Sequence, residues 1–118
     1  IRTIPRMEYV MGRYAQGRRF EYQVRDELLD HGFVCMRSAG SKGSIDIMAG
    51  KEGLVLAVQC KRDGRLPQWE RDRLMRDSHH FGAVPVLAVA SRGVLLYLIP
   101  KTGKVRSEVN VLRLMDHG

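Results

Sequence analysis

Cysteine is nearly absent from this chain of 118 residues, with Cys35 and Cys60 as the whole complement. They form neither a CxxC pair nor a Cys/His cluster, which excludes the common zinc-binding patterns. Two cysteines leave room for one disulfide, but buried free thiols are the expected state in an intracellular protein. No apolar run approaches the length of a bilayer span, and the N-terminus lacks a signal-peptide core, so a cytoplasmic protein is expected. No repeat, low-complexity tract or Pro/Gly-rich linker divides residues 1–118, which therefore read as a single domain with one core. Residues 1–11 show no clear periodicity, hold Pro5 and two arginines, and read as an N-terminal arm.

Positive charge is in excess. The net charge is +7 and the pI about 9.9, whereas the 44% hydrophobic and 28% charged fractions are ordinary. Such a balance points to a polyanionic partner, either nucleic acid or an acidic membrane surface. The distribution of the charge narrows the choice. Residues 1–20 sum to +4 and residues 37–65 to +3, but residues 21–36 between them sum to −3. A surface that merely binds phosphate has little use for acids in its midst, whereas a metal-dependent phosphodiesterase needs them.

Periodicity gives the elements. A helix is expected from about Arg13 to His31, where Phe20, Val24 and Leu28 recur every fourth residue and Gly32 follows as a C-cap. Phe33–Arg37 reads as a short strand. The small polar loop from Ser38 to Ser44 leads to an alternating strand, Ile45–Ala49, and residues 50–53 turn the chain into a third strand, Leu54–Lys61. Leu66-Pro67 opens a second helix that Gly82 stops. Val84–Ala90 is the most continuously apolar strand, as expected of one buried on both faces. Val94–Ile99 forms a fifth strand, and a short helix over about 107–115 could close the chain. This order implies an α/β fold with a mixed five-stranded sheet flanked by helices. The third and fourth strands, joined through a helix, are expected to be parallel neighbours.

Chemistry concentrates on the hairpin made by the second and third strands. Asp46 lies on the first arm and Gln59-Cys60-Lys61 on the second. Side chains alternate along a strand, so Gln59 and Lys61 share one face and Cys60 points to the other. Asp46 then falls at the open end of the hairpin, near both. Two readings stay open on this pattern alone. One is an exposed hairpin with ordinary polar residues. In the other, Asp46 and an oxygen at position 59 hold a hard divalent ion, and Lys61 positions a water and offsets phosphate charge.

A D-x(n)-[DE]-x-K pattern on a hairpin after a Glu-bearing helix resembles the PD-(D/E)xK nuclease superfamily, whose fold is restriction-endonuclease-like. More narrowly, Gly17 to Glu21, His31-Gly32-Phe33, Arg37 to Lys42 and Phe81 to Val89 are similar, in consistent order over residues 12–99, to the archaeal-type Holliday junction resolvases. The resemblance implies a magnesium-dependent endonuclease, manganese being able to substitute, that cuts four-way DNA junctions as a homodimer. It places Glu21 beside Asp46 and Gln59 in the metal site, and Ser38 and Lys61 at the scissile phosphate. Arg13, Arg18, Arg19, Arg37, Lys42 and Arg62 become candidate DNA contacts. The loop before Asp46 is one residue longer than the family pattern. The second helix has no net charge, so its apolar residues Trp69, Leu74, Met75 and Phe81 are expected in the core or a dimer contact rather than on DNA.

One position departs from the family. Gln59 stands where the family usually has Glu or Asp, and an amide oxygen can bind a metal but brings no charge. A tolerated natural variant, an engineered inactivating change, or a module that binds junctions without cutting would each account for it. The first is favoured, because superfamily members with Gln at this position exist and the other motif positions are intact. A related nuclease acting on linear duplex is the remaining alternative.

Overall fold

The computed structural model describes residues 6–39 and 43–99, with side chains from residue 16. Helix α1 (Arg6–Asp30) comes first, then strands β1 (Val34–Arg37), β2 (Ile47–Lys51) and β3 (Leu54–Cys60), helix α2 (Gln68–His80), and strands β4 (Val84–Ala90) and β5 (Val94–Leu98). The strands form one sheet in the order β1-β2-β3-β4-β5. All neighbours are antiparallel except β3 and β4, which pair in parallel with Val58 opposite Val86 and Gln59 opposite Leu87. The α2 crossover requires this, since a parallel partner is reached only by carrying the chain back along the sheet.

Two apolar layers sandwich the sheet. On one face, Phe20, Val24 and Leu28 of α1 pack with Phe33, Ile47, Leu56, Val58, Val86 and Leu96. On the other, Leu74 of α2 packs with Leu87, Val89 and Ile99. The every-fourth-residue stripe of α1 is thus the stripe that the sheet covers, and β4 is buried from both sides.

Both helices end in the same way. Phe33 N–H donates to Leu28 O at 3.1 Å and Gly32 N–H to Leu29 O at 2.9 Å, with Gly32 at φ +88°. Ala83 N–H to Ser78 O and Gly82 N–H to His79 O repeat the pattern after α2, with Gly82 at φ +63°. These are Schellman closures, which need a residue tolerant of positive φ and so select glycine. Lys51 Nζ donates to His31 O at 2.6 Å, tying the hairpin to the end of α1.

Several boundaries differ from the expected ones. Helix α1 begins at Arg6 rather than near Arg13, so Arg6–Met11 continue the helix instead of forming an arm. Their weak periodicity concealed a helix that propagates without an apolar stripe of its own. The ladder of β2 begins at Ile47, which leaves Asp46 just ahead of the strand. Residues 1–5 and the helix expected over 107–115 lie outside the described residues. No helix among the described residues is long and apolar enough to cross a membrane.

Candidate active site

A cleft of about 690 Å³ opens where α1, the end of β1, the approach to β2, the end of β3 and the N-terminal part of α2 converge. From α1 it takes Gly17, Arg18, Glu21 and Tyr22, and from the connection after β1 Arg37, Ser38 and Ala39. Asp46 and Gln59-Cys60-Lys61 form its floor, and Trp69, Glu70 and Arg73 of α2 its opposite wall. The side chains that the hairpin and the N-terminal helix were expected to contribute therefore meet in one place.

Asp46 is fixed by backbone on both sides. Its N–H donates to Val58 O at 2.8 Å, and its carbonyl accepts from Ser38 N–H at 2.9 Å. Its Oδ2 accepts the Cys60 N–H at 2.7 Å. The Asp46 side chain is thus anchored to the peptide between Gln59 and Cys60. Its carboxyl is raised to about 6, chiefly by burial with the neighbouring Glu21 carboxylate adding to it, against the opposing pull of the Cys60 hydrogen bond, Lys61 and Arg37. The same burial pushes the Cys60 thiol well up, with Asp46 and Glu21 adding to the effect. Cys60 is therefore a neutral thiol and not a metal-binding thiolate. Cys35 and Cys60 are both free.

Glu21 and Arg37 form an ion pair at 3.4 Å. The Arg37 guanidinium lies 4.4 Å from the Tyr22 ring centroid and donates to Tyr22 Oη at 3.3 Å, while Arg25 packs on the same ring at 4.7 Å. Tyr22 thereby holds Arg37 toward the cleft from behind. Lys61, whose N–H donates to Ala88 O at 2.9 Å, reaches Glu70 on α2, with Nζ 2.8 Å from Oε2. At the base of the loop, buried Ser44 donates to Asp77 Oδ2 at 2.6 Å, so α2 also anchors the segment that delivers Asp46.

Of the residues expected at the site, Glu21, Asp46, Gln59, Lys61, Ser38, Arg18 and Arg37 line the cleft. Arg19 and Arg62 are exposed but are not among its lining residues. The Arg13 side chain and Lys42 lie outside the described residues. Of the α2 residues expected in the core or a dimer contact, Leu74 is core and Met75 packs beside it. Trp69 and Phe81 are each 63% exposed, so neither is core, and the N-terminal part of α2 forms a cleft wall. Zero net charge gave no sign of this, since Glu70 and Arg73 cancel each other within the wall itself. Tyr22, Glu70, Asp77 and Ser44 had no sequence signal beyond an acid in a helical first turn and a serine in a loop.

All candidate metal donors are oxygens: the carboxylates of Glu21 and Asp46 and the amide of Gln59, the combination that suits a hard cation. The mutual repulsion of Glu21 and Asp46 in a desolvated setting is what such an ion relieves. The residues present fit magnesium.

The family model for archaeal Holliday junction resolvase (Hjc) matches residues 12–113. A crossover junction endodeoxyribonuclease from Methanocaldococcus jannaschii is 35% identical over 92 residues, which cover 75% of this chain and 68% of the relative. The solved structure of a Holliday junction resolvase from Archaeoglobus fulgidus superposes with a TM-score of 0.67 at 24% identity, over 86% of this chain and 96% of that one. At that identity the likeness speaks to the fold, which is the same mixed sheet between helices.

Proposed function

The chain belongs to the archaeal Holliday junction resolvase family, and we propose that it resolves four-way DNA junctions as a magnesium-dependent, homodimeric endodeoxyribonuclease. The observation that carries this reading is the cleft, which gathers three carboxylates, an amide oxygen, a lysine and three arginines around one opening on a +7 chain.

Glu21, Asp46 and Gln59 would hold the ion, and magnesium, or manganese in its place, supplies a Lewis acid and a nucleophilic water when bound. The remaining work falls to side chains. Lys61 offsets charge developing on the scissile phosphate. Arg37, backed by Tyr22, and Ser38 engage phosphate oxygens, with Arg18 extending the contact along α1. Contacts of this kind fix position without reading bases, which suits an enzyme that selects a shape.

A four-way junction is two-fold symmetric and needs cuts in opposing strands, so a symmetric pair of sites matches it. Support for a second copy comes from apolar side chains left in solvent away from the α1 face. Val34 is 74% and Met36 72% exposed on β1, and Phe81 lies open at the end of α2.

Gln59 favours a second reading, a module that binds junctions without cutting. One assay separates the readings: incubation with magnesium and either a four-way junction or a linear duplex of matched sequence. Selective, paired cutting of the junction is expected. Equal cutting of both substrates would sink the resolvase reading. Binding without cutting, with activity gained by Gln59→Glu, would establish the inert module.

A further inference from the structure

The hairpin that carries Lys61 carries no acid two residues before it, yet Lys61 does not stand alone. Glu70 reaches it from α2, with Oε2 2.8 Å from Nζ, and the two side chains are only 22% and 28% exposed. We infer that Glu70, from α2, is the positioning residue for Lys61, giving it the opposing charge that the amide at position 59 does not. The inference rests on the reading of this cleft as the hydrolytic site.

The physical argument starts with the lysine. Its backbone is fixed by the sheet through the 2.9 Å bond to Ala88 O, but four carbons separate that backbone from the ammonium. Such a stem has many rotamers open to it, so aim requires a partner. A Glu at 59 would lie on the same strand face and provide one. The Gln59 amide provides no opposing charge. Glu70 sits in the first turn of α2, where the helix dipole favours an acid, just after Pro67 opens the helix. Partial burial in the cleft wall makes the pair less screened than a surface ion pair. An acid there for the helix alone could point to solvent, whereas this one points to Lys61.

The test uses the full chain as Glu70→Gln, Glu70→Asp and the double variant Gln59→Glu/Glu70→Gln. Three quantities are measured: the single-turnover rate on a four-way junction in magnesium, junction affinity without metal, and the Lys61 ammonium ¹⁵N resonance of metal-free protein, assigned through Lys61→Met. For Glu70→Gln the rate should fall by at least about tenfold, the scale of a misplaced catalytic group. Junction affinity should stay within about twofold, since the contact acts on turnover rather than uniform binding. The Lys61 resonance, sharp while its ammonium is ion-paired, should broaden away. Glu70→Asp should fall between, and Gln59→Glu should restore the rate. A Glu70→Gln protein that cuts at the wild-type rate, or keeps the Lys61 resonance, overturns the assignment. So does a raised half-saturating magnesium concentration with an unchanged maximal rate, which would make Glu70 a metal ligand instead. Should Glu70→Gln fail to fold, Glu70→Asp carries the same comparison, with a smaller fall in rate and a weakened Lys61 resonance expected. Failure of the wild type to cut junctions would strike the parent reading, while the metal-free resonance judges the ion pair by itself.

Discussion

Asp46 Oδ2 accepts the Cys60 N–H at 2.7 Å, so the acid of the hairpin is hydrogen-bonded to the peptide that joins Gln59 to Cys60, the residue before Lys61. That one contact registers the two arms of the motif against each other, with an accuracy that two free side chains could not keep. Burial in the cleft takes the same acid out of water, and the consequences can be measured.

Replacing Asp46 by Asn keeps an acceptor for Cys60 N–H and removes the charge. Junction cleavage should disappear while junction binding is retained. Loss of both activities in filter-binding and cleavage assays would mean that Asp46 serves the fold and not the chemistry.

The same substitution should stabilise the metal-free protein at neutral pH. The folded Asp46 carboxyl titrates at about 6 against an ordinary value of 3.8, so the folded chain holds this proton more tightly than the unfolded one. The stability it contributes is complete below about pH 4 and is lost as pH rises through about 6. By pH 7.5 the charged acid costs on the order of 2 kcal/mol, which Asp46→Asn relieves. Thermal unfolding with a chelator should show the variant melting several degrees higher at pH 7.5 and level with wild type at pH 4. Equal melting at both pH values would contradict a desolvated carboxylate.

A proton and a divalent ion compete for this carboxylate. Cleavage should therefore fall as pH drops through about 6, and the midpoint should move lower as magnesium is raised. A chelator should stop cleavage at every pH and leave junction binding in place. A midpoint that ignores magnesium concentration would place the titrating group elsewhere.

Gln59→Glu adds a charge among oxygens suited to a hard cation. Half-saturating magnesium should fall by about tenfold, equivalent to ~1.4 kcal/mol. Activity titrations read this directly, and an unchanged or weaker dependence would remove position 59 from the metal site.

Arg37→Ala should weaken binding to junctions of any sequence and lower the slope of log affinity against log salt by about one. Tyr22→Ala should give a smaller loss in the same direction, because it removes the surface on which Arg37 rests. A sequence-dependent effect would argue for base contact.

The parallel β3–β4 pair, the order of elements and the α1 stripe were legible in the chain, since each rests on local periodicity that the final packing merely uses. Phe20, Val24 and Leu28 are the contact face of α1, as their spacing required. The helical state of Arg6–Met11 was not legible, because helix continues there without the apolar pattern that announces it.

For the site, the sequence by itself determined the donors on the hairpin and, through resemblance, Glu21. Those residues lie on elements whose register is set by strand alternation and a short turn. Only the tertiary structure decided the far wall. Glu70 stands nine positions after Lys61 across a loop and a helix start, and its carboxylate meets that ammonium at 2.8 Å only because α2 packs back over β3 and β4. Ion pairs across a crossover depend on the angle and depth at which a helix docks, and those follow from side-chain packing that no local pattern encodes.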